Sequence, residues 1–525
     1  MIRSTFSGFN TALSGLNASQ KALDVVGQNI TNMNTTGYTR QRLDLYSIKG
    51  PGPNAFSFTT ETKVGQGVMM QSVSQLRDPY LDYQYRTQLA KVGTQDAINL
   101  VLGDIGTIFD QADTTNVQEA LDDIVSQLQD LSTKVGQDGA DGLVREAFGV
   151  LIDFLHQNST GLDDIRDSLI TKMTENIGPQ VNSILDQIAD LNDQIKRSEI
   201  LGDPALELRD TRNLLLDDLA TYFPIEVSTR QVDVGGNVTV EELDVKIKGS
   251  DKYLITHDHV GSVEFKESQS NPGELDMTLT VIDRTTGQEV LYGDDADDPK
   301  ITEGIIYGNL EMLNSDGISA GEETKGIGYY EALLDSFAYT IATEMNRLNG
   351  YVPTDQNTEI YKLFESSDGG GITASTIKIS DGWLNGTTSL TNSSDMSNNP
   401  TGNDLILQMK DLLSTKNDLK FVYVDDNGIA DENRVLYTGT MPGAYTNIQN
   451  MQGMQKSSTE SILANRVSVM NEIADSRDSV TGVSLDEEVM NLLRYQQSYS
   501  AAARLMTAMD EALDTLINNT GVVGR

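Results

Sequence analysis

A 3.5-residue hydrophobic repeat at both ends of the chain constrains its fold more than any other feature. Steps of 4 and 3 from Ile2 give Ile2, Phe6, Phe9, Leu13, Leu16, Gln20, Leu23, Gly27 and Ile30, seven of nine apolar. The same steps from Leu485 give Leu485, Val489, Leu492, Gln496, Tyr499, Ala503, Met506, Asp510, Leu513 and Ile517, eight of ten apolar. A repeat of this period, held for about four heptads, keeps one stripe of a helix against a partner helix. An ordinary amphipathic helix on a globular core accounts for either end alone equally well. Two matched ends favour mutual pairing, so the terminal helices are expected to form a coiled coil with each other. Ser484 and Glu487 have the spacing of a capping box, and Gly521 falls where the second helix should stop. Each helix has a second face of small residues: Ala12, Ser14, Gly15, Ala18 and Ser19, then Ser500, Ala501, Ala502 and Ala508. Those faces suit close packing of neighbouring subunits, although Ala also favours helix by itself.

Charge divides the chain in the same way. Residues 1–60 hold five basic side chains (Arg3, Lys21, Arg40, Arg42, Lys49) against two acidic ones (Asp24, Asp44). Residues 480–525 hold six acidic and three basic ones. The ends are therefore weakly and oppositely charged, and the whole formal net charge of -40 lies between them. Such acidity argues against binding nucleic-acid phosphates or an anionic membrane, which need clustered Lys and Arg. The absence of Cys excludes disulfides, Cys-ligated zinc, iron–sulfur clusters and thiol catalysis. No apolar run approaches the ~20 residues that span a bilayer. The first ten residues lack the apolar core of a cleaved signal peptide, so secretion would need another route.

Between the ends the texture changes four times. Residues 95–222 read as helical, with i, i+3, i+4 apolar spacing over 117–131, 143–156, 162–177, 181–200 and 205–222. Pro224 ends the last of these. From Ile225 to about residue 310 alternation dominates, as in Val232, Val234, Val238 and Val240, and a β-rich domain is expected. Residues 329–348 return to helix. Residues 351–440 mix short strands with a helix at 404–413 and a Ser/Thr/Asn-rich loop at 387–403. A helix at 462–473 leads into the terminal one. The expected fold is multidomain α+β with inserts nested in a body whose two ends meet. Residues 1–50 with 480–525 form the terminal coiled coil. Residues 51–224 with 311–350 and 441–479 form a long-helix body. Residues 225–310 form a β-rich outer domain, and 351–440 a small mixed α/β insert.

Sites for chemistry are few. His257 and His259 would share a face on a strand and could ligate a metal, but no third ligand is near, and a surface turn is the alternative. Residues 423–428 resemble a calcium loop around Asp425, Asn427 and Gly428. The first and last ligand positions fall on Tyr423 and Arg434, so a hairpin with an Asn-Gly turn fits better. The acidic stretch 294–298 suits solvated charge more than a bound ion. With three His and no phosphate-binding glycine loop, no nucleophile–base pairing can be read. The residues point to an assembly protein rather than an enzyme, with no catalytic, cofactor or metal site.

The ends also carry motifs. Residues 10–23 (Asn-Thr-Ala-Leu-Ser-Gly-Leu-Asn-Ala-Ser-Gln-Lys-Ala-Leu) and 29–41, with Asn34, Thr36, Gly37 and Tyr38, resemble the N-terminal signature of the flagellar axial family of rod, hook and hook-associated proteins. Thr39, Arg40 and Gln41 after it favour the hook-associated branch. Residues 482–488 (Gly-Val-Ser-Leu-Asp-Glu-Glu) and 493–501 resemble the C-terminal signature of that branch, and Leu208-Arg209-Asp210 and Gly308-Asn309-Leu310-Glu311 agree with it. One departure lies at 346–350, Asn-Arg-Leu-Asn-Gly, where the family often has a His. The resemblance covers about the first 90 and last 45 residues strongly, 160–225 and 300–350 moderately, and the inserts not at all.

It implies export of the unfolded chain through the flagellar type III apparatus and assembly at the distal end of the hook. The copies would form an annular homo-oligomer there, contacting hook protein below and the next junction protein, hook-associated protein 3, above. The terminal helices would line the channel, and an export chaperone would hold the C-terminal helical region beforehand. On this reading the stripe residues Phe6, Phe9, Leu13, Leu16, Leu23, Ile30, Leu485, Val489, Leu492, Tyr499, Met506, Leu513 and Ile517 form the assembly interface. The family motif rests on Asn34, Thr36, Gly37, Tyr38 and Arg40. A two-helix unit has little packing to stabilise it, so residues 1–50 and 480–525 are expected to order mainly on assembly. Alternatives are a hook or rod protein, an axial body carrying an adhesin or metal-dependent hydrolase insert, or a secreted coiled-coil effector.

Overall fold

The computed structural model describes residues 5–48, 67–111, 114–134, 140–235, 238–250, 252–257, 259–268, 273–282, 289–292, 301–318, 324–395, 397–399, 401–414, 418–425 and 428–515. The stretch 294–298, Asn427, Ile517, Gly521 and the side chain of Phe6 lie outside that description.

The first helix, α1 (Thr5–Asn32), leads through a turn into an antiparallel hairpin of β1 (Gln41–Ser47) and β2 (Val68–Gln75). Helices α2 (Pro79–Gln111), α3 (Thr114–Thr133) and α4 (Ala140–Thr171) follow. A π-helical turn, Lys172–Ile177, joins α4 to α5 (Gly178–Ile200), and α6 (Leu206–Tyr222) comes next. Phe223 turns to extended backbone, and Pro224, which has no N–H to continue a helix, precedes the first strand of the β domain. That domain is one antiparallel sheet in the order β3 (Ile225–Asp233), β4 (Thr239–Ile247), β5 (Tyr253–Thr256), β8 (Leu275–Ile282), β7 (Ser262–Glu267). Strand β6 (His259–Val260) pairs with β5, and β9 (Glu289–Tyr292) with β8. The chain returns through α7 (Ile305–Asn314) and α8 (Ile327–Asn349). The small insert holds β10 (Phe364–Ser366) paired with β11 (Ile377–Ile379), then α9 (Asp381–Leu384) and α10 (Asp404–Leu413). It closes with the hairpin of β12 (Leu419–Val424) and β13 (Ala430–Gly439). Two helices end the described chain, α11 (Met441–Thr481) and α12 (Leu485–Asp514). The α+β architecture with terminal helices packed together is the expected one.

One continuous apolar core runs from α2 through the helical body, under the β domain and into the insert. Its spine is the antiparallel pair α2 and α11. Gln452 of α11 donates to the Leu102 carbonyl of α2 at 2.6 Å, and Arg466 to that of Lys91 at 2.8 Å. The insert is held by the single Trp. Trp383 is fully buried, with its ring edge-on to Phe148 of α4 and Phe364 of β10 at 6.1 and 5.8 Å. Its indole N–H donates to Asp141 at 2.9 Å. Asn346, at the departure from the family pattern, is buried and accepts from the N–H groups of Leu363 and Phe364 while donating to the Phe364 carbonyl. A neutral amide supplies both roles at once, so the position keeps a polar clamp on the insert.

The course of the secondary structure departs from sequence expectation in three places. Helix α2 begins at Pro79, well before residue 95, and the hairpin β1–β2 precedes it. The two helices expected over 143–177 are one helix followed by the π turn. Helix α11 has 41 residues where 462–473 was expected, because its buried face includes Gln452, Thr459 and Thr481 and shows little hydrophobic period. Residues 5–48 and 482–515 are largely helix and hairpin. The hairpin and the polar junction described below supply the tertiary support that a bare helix pair lacks.

A candidate assembly interface at the terminal helices

Helices α1 and α12 run antiparallel. A Cβ on Gly8 would lie 2.5 Å from Cε of Met509, and Asn29 donates to Glu488 at 3.3 Å. Gly8, Gly15, Ala22 and Asn29 share one heptad position, and Ala12, Ser19 and Val26 share the other seam position. Ala12, Ser19, Ala22, Val26 and Asn29 are all buried. On α12 Glu488 is buried, and Leu492, Tyr495, Ala502, Met506, Met509 and Leu513 are half-buried, in the same 4-and-3 rhythm.

The terminal helices thus pair at heptad spacing, but the inner face of α1 is turned by one residue, about 100°, from the stripe read in the sequence. Phe9, Leu16, Leu23 and Ile30 are half-buried on the flank, and Leu13 is 38 % exposed. On α12 the expected Leu492, Met506 and Leu513 do lie on the seam, whereas Leu485, Val489 and Tyr499 are exposed. Of the small face of α1, expected to meet neighbouring subunits, Ala12 and Ser19 turn into the pair instead, and Ser14 accepts from the Val68 N–H of the hairpin at 3.3 Å. Small residues let the backbones approach, so close packing is gained on that side while the bulky stripe is left outside. On α12, Ser500, Ala501 and Ala508 remain exposed.

The motif after α1 builds a polar junction at the base of this pair. Gly37 adopts φ +76°, which a side chain rarely tolerates, and a Cβ there would meet Leu214 of α6 at 2.5 Å. The turn places Tyr38, Thr39, Arg40 and Gln41 against four different helices. The Tyr38 hydroxyl donates to Oδ1 of Asn29 at 2.9 Å, and the same oxygen accepts from the Gln41 N–H. Thr39 donates twice to Asp210 of α6, from its N–H at 3.1 Å and its hydroxyl at 2.6 Å. Arg40 pairs with Glu487 and Glu488 of α12, each at 2.7 Å, and its N–H donates to the Thr481 carbonyl at the end of α11. Asn34 and Thr36 are exposed in the turn and make none of these bonds.

Electrostatics follows from burial. Desolvation works against the Arg40 charge, but the hydrogen bonds to Glu487 and Glu488 outweigh it and hold its pKa above the usual value. Burial, with Asp210, Glu207 and Glu488 nearby, pushes the Tyr38 phenol up, so it stays a neutral donor. Burial also raises the Asp210 carboxyl, against the pull of the two Thr39 hydrogen bonds and of Arg77. Ser484 makes no side-chain cap bond, so the capping box does not form; Glu487 is drawn to Arg40 instead.

A raised carboxyl pKa has a definite sign. The stability Asp210 contributes is full below its unfolded value, near pH ~4, and is lost as pH rises through its folded value. Asp210→Asn should therefore flatten the pH dependence of stability in the window just above pH ~4. Thermal unfolding of the two proteins across that window would measure it, and parallel curves would refute it.

On the body side of the junction, Arg77 pairs with Asp82 at 3.1 Å and approaches Asp210 at 3.8 Å. Arg477 of α11 bridges Asp82 and Asp217, and Arg86 of α2 meets Asp217 at 2.8 Å. Sequence reading singled out Arg40 and Tyr38 but missed Asn29, Asp210, Glu488 and Arg477 as their supports. The available signal was that three separate motif segments, 29–41, 208–210 and 482–488, each carry a hydrogen-bonding group.

The His pair does not form a site. His257 sits in a left-handed turn (φ 57°) and is buried, where a surface turn was expected, whereas His259 is exposed on β6. Among the described residues no group of three His, Asp or Glu is placed to hold a metal ion. Among them too, no helix is long and apolar enough to cross a membrane.

Three family models match the chain. The Flagellar hook-associated protein FlgK helical domain matches residues 102–352. The Flagella basal body rod protein model matches 9–39, and the Flagellar basal body rod FlgEFG protein C-terminal model matches 477–519. Flagellar hook-associated protein 1 of Bacillus subtilis is 28 % identical over 99 % of this chain and 100 % of its own length. The chain is similar to flagellar hook-associated protein 1 over nearly its whole length. The flagellar hook-associated protein 1 of Salmonella typhimurium is 25 % identical over 97 % of this chain and 99 % of its own. A solved flagellar hook junction protein FlgK from Burkholderia pseudomallei, 18 % identical, overlaps 55 % of this chain and 46 % of its own at a TM-score of 0.39, too loose a likeness to argue from. Hook-associated proteins are structural components of the bacterial flagellum, and the rod-type segments at both ends of this chain contain most of α1 and all of α12.

Proposed function

We propose that this chain forms the junction layer between the flagellar hook and the filament, and that the filament is built on it. The observation that carries the reading is the junction at Arg40, Asn29 and Asp210, where the rod-type segments of both ends are locked to the helical domain. The terminal pair, residues 1–50 with 480–525, is the inner part around the channel. The helical body surrounds it, and the β-rich (225–310) and mixed (351–440) inserts face outward, where most of the acidic charge keeps the surface solvated. Copies assemble with one another, with hook protein on one side and with hook-associated protein 3 on the other. The chain reaches this place unfolded by the flagellar type III route, for which a chain without Cys is suited because a disulfide would obstruct passage. Before export a chaperone covers the C-terminal helices.

The test is complementation of a strain lacking the gene. Wild-type protein should restore filaments and be found at hook tips by immunogold labelling; label elsewhere along the flagellum refutes the role. Leu492→Asp and Met506→Asp each place a charge on the seam and should give hooks without filaments. Fluorescence of Trp383 should be unchanged, since the insert it anchors is remote in sequence and packing. A normally motile Asp variant would remove the terminal pair from the assembly interface.

A further inference from the structure

The spine of the body carries a lysine without a counter-charge. Lys325, two residues before α8, lies in an open cleft of about 390 Å³ between α2 and α11. The chain holds 78 Asp and Glu side chains, yet among the described residues none lines this cleft. Lys134 and Lys266, by contrast, pair with Asp130 and Glu264 at 3.1 and 2.9 Å. The Lys325 ammonium has the sulfur of Met451 at 3.9 Å and the face of the Tyr329 ring, its centroid 4.9 Å away. We propose that Lys325 is a modification site whose amine takes up carbon dioxide reversibly as a carbamate.

Carbamate formation needs a neutral amine that carbon dioxide can reach. A thioether and an aromatic face hold an ammonium more weakly than a carboxylate does. Burial is therefore not offset, and it holds the Lys325 amine below the usual lysine range. A larger fraction is nucleophilic at a given pH, as in other desolvated lysines. The described lining has no other ionisable side chain, and burial pushes up the adjacent Tyr329 phenol, which stays neutral. The backbone of the site is fixed to α11. Gln455 donates to the Lys325 carbonyl at 3.0 Å and accepts from the Tyr330 hydroxyl at 2.7 Å.

The step balances without a further reactant. The ammonium first loses a proton to water. The Nζ lone pair then attacks the carbon of carbon dioxide and forms the N–C bond. One C=O electron pair moves onto oxygen, and Nζ gives a second proton to water. The side chain passes from one positive to one negative charge. The product is a carboxylate, which needs hydrogen-bond donors, and the same cleft supplies the Thr324 and Thr459 hydroxyls and the Gln95 amide. Carbon dioxide is neutral, whereas the net charge of -40 repels anionic acyl donors such as acyl phosphates.

The test uses the purified full chain in isotope-labelled bicarbonate at mildly alkaline pH. A trialkyloxonium salt esterifies any carbamate, and peptide mass spectrometry locates it. The label should sit on Lys325 while Lys134 and Lys266 stay unmodified. In urea that preference should disappear, because the cleft creates it. In nuclear magnetic resonance spectra of the intact protein, the labelled carbamate signal should be lost in Lys325→Arg, whose guanidinium keeps the charge and does not deprotonate. No trapped carbamate on Lys325, or equal label on Lys134 and Lys266, would overturn the proposal. So would a preference for Lys325 that persists in urea, or a signal that survives Lys325→Arg.

Discussion

Replacing Asp217 with Ala should destabilise the helical body by ~3–5 kcal/mol. Asp217 of α6 accepts from Arg86 of α2 at 2.8 Å and from Arg477 of α11 at 2.7 Å. It therefore ties three helices at one point. Arg86 and Asp217 are buried, and the Arg477 side chain is only 14 % exposed, with its guanidinium stacked on Tyr85 at 4.6 Å. Removing the carboxylate strands two cations: Arg477 keeps a second carboxylate, Asp82, whereas Arg86 keeps the neutral Asn213 amide oxygen at 3.4 Å. The cost comes from the charges left behind rather than from the pair itself, so Asp217→Asn, which keeps an acceptor, should cost less. Urea unfolding followed by far-ultraviolet circular dichroism measures both. A loss below ~1 kcal/mol would place the cluster with exposed ion pairs.

Ala22→Trp should separate α1 from α12 and abolish filament assembly. Ala22 is buried on the seam, one heptad before Asn29. Overpacking a close contact costs ~1–3 kcal/mol even in a large core. A two-helix unit supported by one hairpin and one polar junction has little stability to spend. Hydrogen exchange of α1 and α12 should accelerate while α2 and α8 keep their protection. Leu13→Ala, on the outer flank, should leave exchange unchanged, because the side chain is not part of the seam. If Ala22→Trp exchanged like wild type and Leu13→Ala did not, the seam would be the one read in the sequence.

Much of the fold was legible because hydrophobic period reports local structure directly. Helix α10 was expected at its observed bounds, and α3, α5, α6 and α8 within a few residues of theirs. The switch to alternation at Ile225 marked the first residue of β3. What escaped was local structure with a weak apolar signal. Strand β2, Val-Met-Met-Gln-Ser-Val-Ser-Gln, has no sustained alternation, and α11 buries polar side chains along its contact with α2. The junction was half-visible. Arg40 and Tyr38 stood out as motif residues, but nothing in the sequence joins Arg40 to Glu488 or Thr39 to Asp210.

The sequence by itself determined that the two ends are long helices of matched period, that they pair, and which family their motifs resemble. Period and composition suffice for this, since both are properties of each segment alone. Only the tertiary structure decided which side of α1 is inside. A heptad repeat fixes spacing along a helix, but rotation about its axis depends on how closely two backbones can approach, and Gly8, Ala12, Ser19 and Ala22 permit an approach that the bulkier stripe does not. The contacts that lock the helix pair to the body join residues hundreds of positions apart. They exist because the path of the whole chain brings Asn29, Arg40, Asp210 and Glu488 to one place.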